Sequence, residues 1–299
     1  MKPLLERLAA GETLVSDGAT GTMLLQADLE AGACPESICL DRPAVLASLA
    51  LRYLDAGAEI VHTNTFGASP LKLSLYGLAH EAERINANAV LAVRRAVGDC
   101  AYVSGSCGPC GKLLKPYGDV EPDAVYESYF TQAKYLIDSG VDAICVETMT
   151  DLTEASLAVR AMKDAAPQLP VMATMTFDPT PRGFFTIMGV DVSAAATGLR
   201  DAGADVVGSN CGNGIDNMVR IAFAFRKHTD LSLIIQPNAG LPRTEAGKLI
   251  YDETPEFMAK RVRELLDVRV SIIGGCCGTT PEHIRAIRDA VDAGVAAQP

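Results

Sequence analysis

Short apolar segments of the kind that form β-strands alternate along this chain with longer amphipathic segments of the kind that form α-helices. The strand-like segments show little alternation of polar and apolar residues, which is typical of strands buried on both faces of a parallel sheet. Eight such strand–helix units in series predict a closed (β/α)8 TIM barrel, an α/β fold. The expected strands cover residues 14–16, 59–62, 101–103, 143–146, 170–174, 204–208, 232–236 and 270–273.

The expected helices cover residues 43–56, 81–97, 122–139, 152–164, 192–202, 216–227, 255–266 and 281–293. Three of them run into a short Asp-Ala-Gly or Asp-Ser-Gly sequence whose glycines are Gly57, Gly140 and Gly203. Glycine there predicts a left-handed C-cap that turns each helix toward the next strand. No linker or block of charge interrupts the series, so we expect a single domain over residues 1–299. A doubly wound open sheet is the alternative, but the chain lacks a G-x-G-x-x-G turn.

Composition excludes several classes of partner. The net charge of −11 disfavours binding to nucleic acid or to an anionic membrane surface. No run of eighteen apolar residues predicts a membrane span, and the first ten residues do not resemble a signal peptide. Nine cysteines in a chain of 299 residues do not form the disulfide framework of a small secreted domain. We therefore expect a reduced, cytoplasmic protein without nucleic-acid or membrane partners.

Three cysteines directly follow strand-like segments and are flanked by glycine. Cys276 and Cys277 are adjacent after the last expected strand, and Cys211 follows the sixth. Neighbouring residues on a regular strand point to opposite faces, so two adjacent cysteines can reach one point only where glycine lets the backbone bend. Three thiolates with one open position are a pattern of catalytic zinc sites. The alternatives are cysteines that pack as small apolar residues and a strained disulfide.

Carboxylates stand at the ends of two other expected strands. Asp17 follows the first strand and Glu147 the fourth, at the carboxyl end where TIM barrels carry their chemistry. Such a carboxylate can pair with a substrate ammonium group, although Asp17 could instead cap its turn and Glu147 the next helix. Backbone N–H groups at Gly18 and Gly21 could bind a substrate carboxylate. Together with a thiol-seeking metal, these groups indicate a small thiol-bearing amino acid as substrate.

Other residues with possible chemistry have simpler interpretations. His62 could be a ligand, a base or a hydrogen-bonded structural residue, and His283 is expected to cap or lie on the surface of the last helix. Cys107 and Cys110 have the C-x-x-C spacing of a dithiol oxidoreductase, but they lie in mid-chain before a loop rather than a helix. A glycine-rich rim loop is the preferred interpretation. Four further cysteines are expected to be packing residues: Cys34, Cys39, Cys100 and Cys145.

Several motifs resemble those of the homocysteine S-methyltransferase family over essentially the whole chain. The most specific is Gly-Gly-Cys-Cys-Gly at residues 274–278, combined with Asn210-Cys211. The chain is similar in particular to the homocysteine-binding barrel of cobalamin-dependent methionine synthases. The other motifs that carry the resemblance lie at residues 17–21, 63–66, 147–148 and 237–240.

The resemblance implies a zinc ion held by Cys211, Cys276 and Cys277, with the sulfur of L-homocysteine in the open position. It also implies transfer of a methyl group to that sulfur to give L-methionine. The family positions that hold the amino group match Asp17 and Glu147, and those whose backbone holds the carboxylate match Gly18 and Ala19. Asn210 is expected to orient loops or the ligand.

The methyl donor stays open at this point. A methylcobamide on a separate corrinoid protein is expected, because the segment at residues 177–189 is apolar for a loop and the chain has no tryptophan for an aromatic cage. Betaine, S-methylmethionine or another small donor is the alternative. The apolar segment at residues 177–189 could be a docking surface or a flap over homocysteine. A Cys107/Cys110 oxidoreductase and a non-catalytic methyl-transfer subunit are further alternatives.

Overall fold

A computed structural model describes residues 1–26, 32–245 and 248–296 of the chain. The expected (β/α)8 barrel is present, and its strands occur close to the expected positions. Eight parallel strands form the barrel: β1 (Leu14–Val15), β2 (Ile60–His62), β3 (Tyr102–Cys107), β4 (Ala143–Met149), β5 (Val171–Met175), β8 (Val206–Asn210), β9 (Ser232–Gln236) and β12 (Ile272–Ile273). Two short hairpins lie outside it: β6 (Asp178–Thr180) with β7 (Gly183–Phe185), and β10 (Arg243–Glu245) with β11 (Lys248–Ile250).

The strands are paired in the order β1-β12-β9-β8-β5-β4-β3-β2, with all neighbours parallel. A parallel bridge between Ser16 and Ile60 joins the first strand to β2. Beside it, the N–H of Asp17 donates to the carbonyl of Ile60 at 2.9 Å. These contacts close the sheet into a barrel rather than leaving it open.

Helices surround the strands, and the eight expected ones occur close to their expected positions; the first, second, third and fifth helices of the chain are short and were not expected. The helices are α1 (Leu4–Ala9), α2 (Gly21–Gln26), α3 (Ile38–Asp41), α4 (Pro43–Asp55), α5 (Pro70–Ser74), α6 (Ala82–Val97), α7 (Pro122–Asp138), α8 (Leu152–Ala165), α9 (Val192–Asp201), α10 (Ile215–Arg226), α11 (Pro255–Asp267) and α12 (Pro281–Ala296). The three C-cap glycines adopt the expected left-handed backbone, with φ of 97° at Gly57, 90° at Gly140 and 103° at Gly203. Within the described residues, no helix is both long and apolar enough to span a membrane.

The barrel interior is filled by side chains and closed at its amino-terminal end. Each barrel strand contributes to one buried cluster: Leu14, Ile60, Tyr102, Ala143, Cys145, Met172, Val206, Ile234 and Ile272. Leu4 and Leu8 of α1 pack against the same cluster. A second, larger cluster lies between the strands and the surrounding helices. Because the amino-terminal end is plugged, the barrel is accessible from its carboxyl end, where the expected site residues lie.

Some features differ from the sequence-based expectations. The β6–β7 hairpin occupies most of the segment that was expected to be a loop at residues 177–189. Cys34, Cys39 and Cys145 are buried as expected, but Cys100 is exposed, so the prediction that it is a packing residue is wrong. The predicted single domain over residues 1–299 includes 27–31, 246–247 and 297–299, which lie outside the described residues.

Candidate metal and substrate site

Three cysteines converge at the carboxyl end of the barrel. Cys211 directly follows β8, and Cys276 and Cys277 lie just after β12; the two strands flank β9. The Sγ atoms of Cys211 and Cys277 are 3.8 Å apart, and all three sulfurs lie within 4.8 Å of one another. The fold therefore brings together the three cysteines that the sequence singles out.

The backbone around the cysteines is held in an uncommon geometry. Cys211 has a left-handed φ of 59°, which costs on the order of 1–3 kcal/mol for a non-glycine residue. Its N–H donates to the carbonyl of Gln236, and the N–H of Cys276 donates to the carbonyl of Pro237 at 2.8 Å. A side chain at Gly274 would come within 1.9 Å of the Ser16 hydroxyl, so this close approach requires glycine. The neighbouring strands thus fix the direction of the sulfurs.

The three thiols share protons unequally. Hydrogen bonds from the thiols of Cys276 and Cys277 lower the pKa of Cys211 strongly. The hydrogen bonds to Cys211 and Cys277, together with burial, raise the pKa of Cys276 well above its usual value. The hydrogen bond to Cys211 likewise raises the pKa of Cys277, to about 12. A bound cation would lower the pKa of all three thiols and so favour their deprotonation together.

The donor set and its spacing fit zinc. Tetrahedral zinc with Zn–S bonds of about 2.3 Å requires sulfurs about 3.8 Å apart, which is the separation of Cys211 and Cys277. Among the described residues, no fourth His, Cys, Asp or Glu completes the group. Nearby, Asn238 Oδ1 is buried without a hydrogen-bond partner in the described structure, and its side chain contacts Cys211. Because no fourth ligand is found among the described residues, three thiolates on a tetrahedral zinc would leave one coordination position open for a substrate atom.

A cavity of about 280 Å³ adjoins the three cysteines. Its volume is just below the range for ligand pockets, roughly 300–1,000 Å³, so it suits a small amino acid. Its wall contains all three cysteines, both expected carboxylates, and Gly18 and Ala19. The other lining residues are Thr20, Gly21, Thr22, Pro35, Glu36, His62, Thr63, Asn64, Phe66, Ser106, Thr148, Gln236 and Gly275.

Asp17 is buried in the wall of this cavity and is held by His62. The backbone N–H of His62 donates to Asp17 Oδ2 at 2.8 Å, and His62 Nδ1 lies 2.7 Å from Oδ1. Its carboxylate therefore does not serve mainly to cap the turn that follows it. Each oxygen keeps a further lone pair that can accept a hydrogen bond from a ligand.

Glu147 lies in the same wall and accepts two hydrogen bonds. Ser106 Oγ donates to Oε1 at 2.5 Å, and Asn210 Nδ2 donates to Oε2 at 3.1 Å. Burial raises the pKa of Glu147, while His62 and Ser106 oppose that rise. Helix α8 is capped by Asp151 instead, so Glu147 does not have the capping role that was the alternative. Both carboxylates therefore face the cavity rather than stabilising a helix end.

Asn210 lies behind the cavity wall. Its Oδ1 accepts from the N–H of Thr148 at 2.8 Å and from Thr174 Oγ1 at 2.7 Å, while its Nδ2 binds Glu147. Asn210 is fully buried and is not a lining residue. Its position suits the orienting role that was one of the two sequence-based expectations, because it fixes Glu147.

The N–H groups of Gly18 and Ala19, which were both expected to bind a substrate carboxylate, differ in whether they already have a hydrogen-bond partner. The N–H of Ala19 already donates to Thr279 Oγ1 at 3.1 Å. For Gly18, the described structure gives no such protein acceptor, and a side chain there would come within 2.6 Å of Thr279 Oγ1. Gly18 is therefore the better placed of the two to offer its N–H to a ligand.

The remaining sequence candidates have structural roles in the described geometry. His283 is buried; its Nδ1 accepts from the N–H of Thr280 at 3.1 Å, which fits a capping role but not a surface position. Cys107 and Cys110 are fully buried, and burial raises the pKa of both thiols, that of Cys110 to about 12. Reactive dithiols are accessible and have lowered pKa values. The described structure thus gives neither of them the properties of a redox thiol.

Sequence reasoning missed Glu36 as part of the cavity, and it placed Ser106, Thr148 and Phe66 at the strand ends without giving them a role. Ser106 is near the end of β3, in register with Cys145 of β4, and this position brings its hydroxyl to Glu147. A polar residue near the end of an apolar strand was the available signal. Glu36 and Phe66 come from connecting segments, and their contribution depends on how those segments fold over the barrel.

The fold and site define a class of proteins: (β/α)8 barrels with three thiols beside an amino-acid-sized pocket at the carboxyl end. Comparison with known proteins supports this assignment. The model of a protein family described as homocysteine S-methyltransferase matches residues 14–291. The chain belongs to this family.

Relatives and solved structures agree with the family match. Methionine synthase of Mycobacterium leprae is 34% identical over 305 aligned residues, which cover 96% of this chain and 25% of the relative. Methionine synthase of Mycobacterium tuberculosis is also 34% identical, and its alignment covers 93% of this chain and 24% of the relative. The chain therefore spans about a quarter of the length of these relatives. The metallated form of the homocysteine methyltransferase MmuM from Escherichia coli has the same fold, with a TM-score of 0.79 at 21% identity over 96% of this chain and 99% of that one.

Proposed function

We propose that this protein transfers a methyl group to the thiolate of L-homocysteine and produces L-methionine. A carbon–sulfur bond forms to the methyl group, the bond between that methyl group and its donor breaks, and the thiol proton leaves to solvent. Zinc, held by Cys211, Cys276 and Cys277, would supply the positive charge that keeps the substrate thiol deprotonated at neutral pH. Family membership and the methionine synthase relatives support this activity.

The chain's own residues bind and orient the amino acid. Asp17 and Glu147 would accept hydrogen bonds from its ammonium group, and the N–H of Gly18 would bind its carboxylate. Asn210 would hold Glu147 from behind through its 3.1 Å hydrogen bond. The single observation that carries the proposal is that three thiols and two carboxylates line one cavity of about 280 Å³.

We further propose that the methyl donor is a methylcobamide on a separate corrinoid protein. The cavity is small for an amino acid plus a second organic substrate, and Phe66 is the only Phe, Tyr or Trp in its described wall. Large apolar side chains are exposed on connections that follow the strand ends, including Tyr117 (79% exposed) and Ile187 (80% exposed). A small donor such as S-methylmethionine or betaine is the second candidate, because it would act on the same homocysteine acceptor.

We also propose a cytoplasmic location. All nine cysteines are free, and the proposed chemistry needs three of them as thiolates. Thiols persist in reducing compartments such as the cytoplasm.

The test is the zinc content of the reduced, purified protein, followed by zinc-edge absorption spectroscopy with and without L-homocysteine. We expect one zinc per chain with about three sulfur neighbours, rising to four when homocysteine is added. Cys277→Ala should lower zinc affinity by roughly a hundredfold or more, since even loss of an outer-shell partner costs about 10- to 100-fold. Cys100→Ala, which removes an exposed cysteine, is the matched control. Reduced, folded protein that binds no zinc would contradict the proposal.

A further inference from the structure

His62 lies between the two carboxylates of the cavity. Its Nδ1 is 2.7 Å from Asp17 Oδ1, and its ring is in the cavity wall with only 9% of the residue exposed. A ligand nitrogen of His62 and a carboxylate oxygen of Glu147 lie within 4.8 Å of each other, with Cys145 Sγ in the same group. The Nε2 atom is buried without a hydrogen-bond partner among the described residues. One imidazole is thus hydrogen-bonded to Asp17, which follows β1, and lies close to Glu147 of β4.

This position matters because two buried carboxylates repel each other when both are ionised. An imidazolium between them offsets part of that repulsion, and its Nδ1–H fixes the direction of the Asp17 carboxylate. With His62 protonated, the three groups carry one net negative charge. An arriving ammonium group would then make the filled pocket electrically neutral, which is favourable in a buried site.

We propose that His62 is a positioning residue that holds Asp17 and Glu147 ready for the ammonium group of homocysteine. The inference rests on the proposed function, because it concerns recognition of that substrate. His62 acts through the carboxylates rather than on the reacting sulfur. Its removal should therefore weaken recognition of the amino group and leave metal binding and thiol binding intact.

The experiment compares two thiols by calorimetric titration of the zinc-loaded protein: L-homocysteine, and 4-mercaptobutyrate, which lacks the amino group. In the wild type, homocysteine should bind more tightly. His62→Leu should weaken homocysteine binding by roughly tenfold to a hundredfold, the range for a lost hydrogen bond to a charged group. Binding of 4-mercaptobutyrate and zinc content should be unchanged.

Two amide variants separate positioning from a structural role. Asparagine can place its Nδ2 where His62 Nδ1 stands and so keeps the hydrogen bond to Asp17 without the charge; His62→Asn should therefore restore part of the homocysteine affinity. Glutamine places its amide one bond further out, away from Asp17 Oδ1, so His62→Gln should restore less of the homocysteine affinity. If His62→Leu does not fold, the comparison of these two amide variants still tests whether His62 positions the carboxylates. His80→Leu, which removes a histidine whose side chain is 73% exposed, is the matched control.

The outcomes are distinguishable. Equal weakening of both thiols in His62→Leu, or no weakening of either, would overturn the inference, as would an asparagine variant no better than glutamine. Wild-type protein that binds zinc but not homocysteine would instead contradict the proposed function.

Discussion

The ionisation of His62 is linked to folding as well as to the pocket. Burial by itself lowers the pKa of His62, but the charge and hydrogen bond of Asp17 outweigh it, and the pKa lies well above the usual 6.5. A raised pKa in the folded state means that its contribution to stability is fully present below about pH 6.5 and is lost as pH rises through the folded-state pKa. The side chain therefore stabilises the folded protein most at mildly acidic pH.

We predict that the loss of stability in His62→Asn is largest near pH 6 and shrinks as pH rises through the folded-state pKa of His62. Asparagine does not titrate, so the difference in the free energy of unfolding between variant and wild type reports the ionisation of His62. Each tenfold gain in proton affinity on folding corresponds to about 1.4 kcal/mol. Urea unfolding at several pH values, with both proteins at equal zinc content, measures this difference in the free energy of unfolding. His80→Asn controls for the loss of an imidazole at an exposed site. A difference that grows with pH would contradict the prediction.

At the scale of elements, the position of the β6–β7 hairpin and the turn after it bears on whether this segment is a flap over the cavity or a docking surface. None of residues 177–190 lines the cavity. The rings of Phe184 and Phe185 lie under guanidinium groups, with Arg220 5.0 Å from the centre of the first and Arg182 5.2 Å from the centre of the second. The aromatic surface of the hairpin is thus covered locally and does not face the cavity.

We expect Ile187→Ser to leave the dissociation constant of homocysteine within about twofold of the wild type, as for most surface substitutions. Ile187 is 80% exposed, so it contributes to homocysteine binding only if the segment closes as a flap. Calorimetric titration measures the constant, and Phe66→Ala, which alters the cavity wall, is the positive control. A large loss of affinity in Ile187→Ser would favour the flap.

The elements also show which features a sequence can predict. The barrel strands were predictable because each is a buried apolar run followed by a helix. The β6–β7 hairpin was not, because residues 178–180 are exposed and its pairing depends on one turn. The three clustered cysteines stood out through their glycine neighbours. The hydrogen bond between His62 and Asp17 could not be predicted, because these residues are 45 positions apart and are brought together by the closure of the barrel.

At the scale of the whole molecule, the plug formed by α1 leaves one direction of approach. Leu4 and Leu8 cover the amino-terminal end of the barrel interior, while the thiols and carboxylates lie at the opposite end. In the proposed reaction, any donor must therefore bring its methyl group to the carboxyl end. A donor carried on another protein has to dock over the cavity mouth, whereas a small donor has to fit beside homocysteine inside it.

These two routes predict different donor use. The chain has no tryptophan, and Phe66 is the one Phe, Tyr or Trp ring in the described cavity wall, whereas recognition of a quaternary ammonium group commonly uses several aromatic faces. We predict that zinc-loaded protein with L-homocysteine forms methionine from methylcobalamin and not from betaine, with S-methylmethionine as a third arm, measured by mass spectrometry. Cys277→Ala and a protein-free blank control for direct reaction of methylcobalamin with the thiol. Methionine from betaine or S-methylmethionine, with none above the blank from methylcobalamin, would instead assign the methyl donor to the small-molecule class.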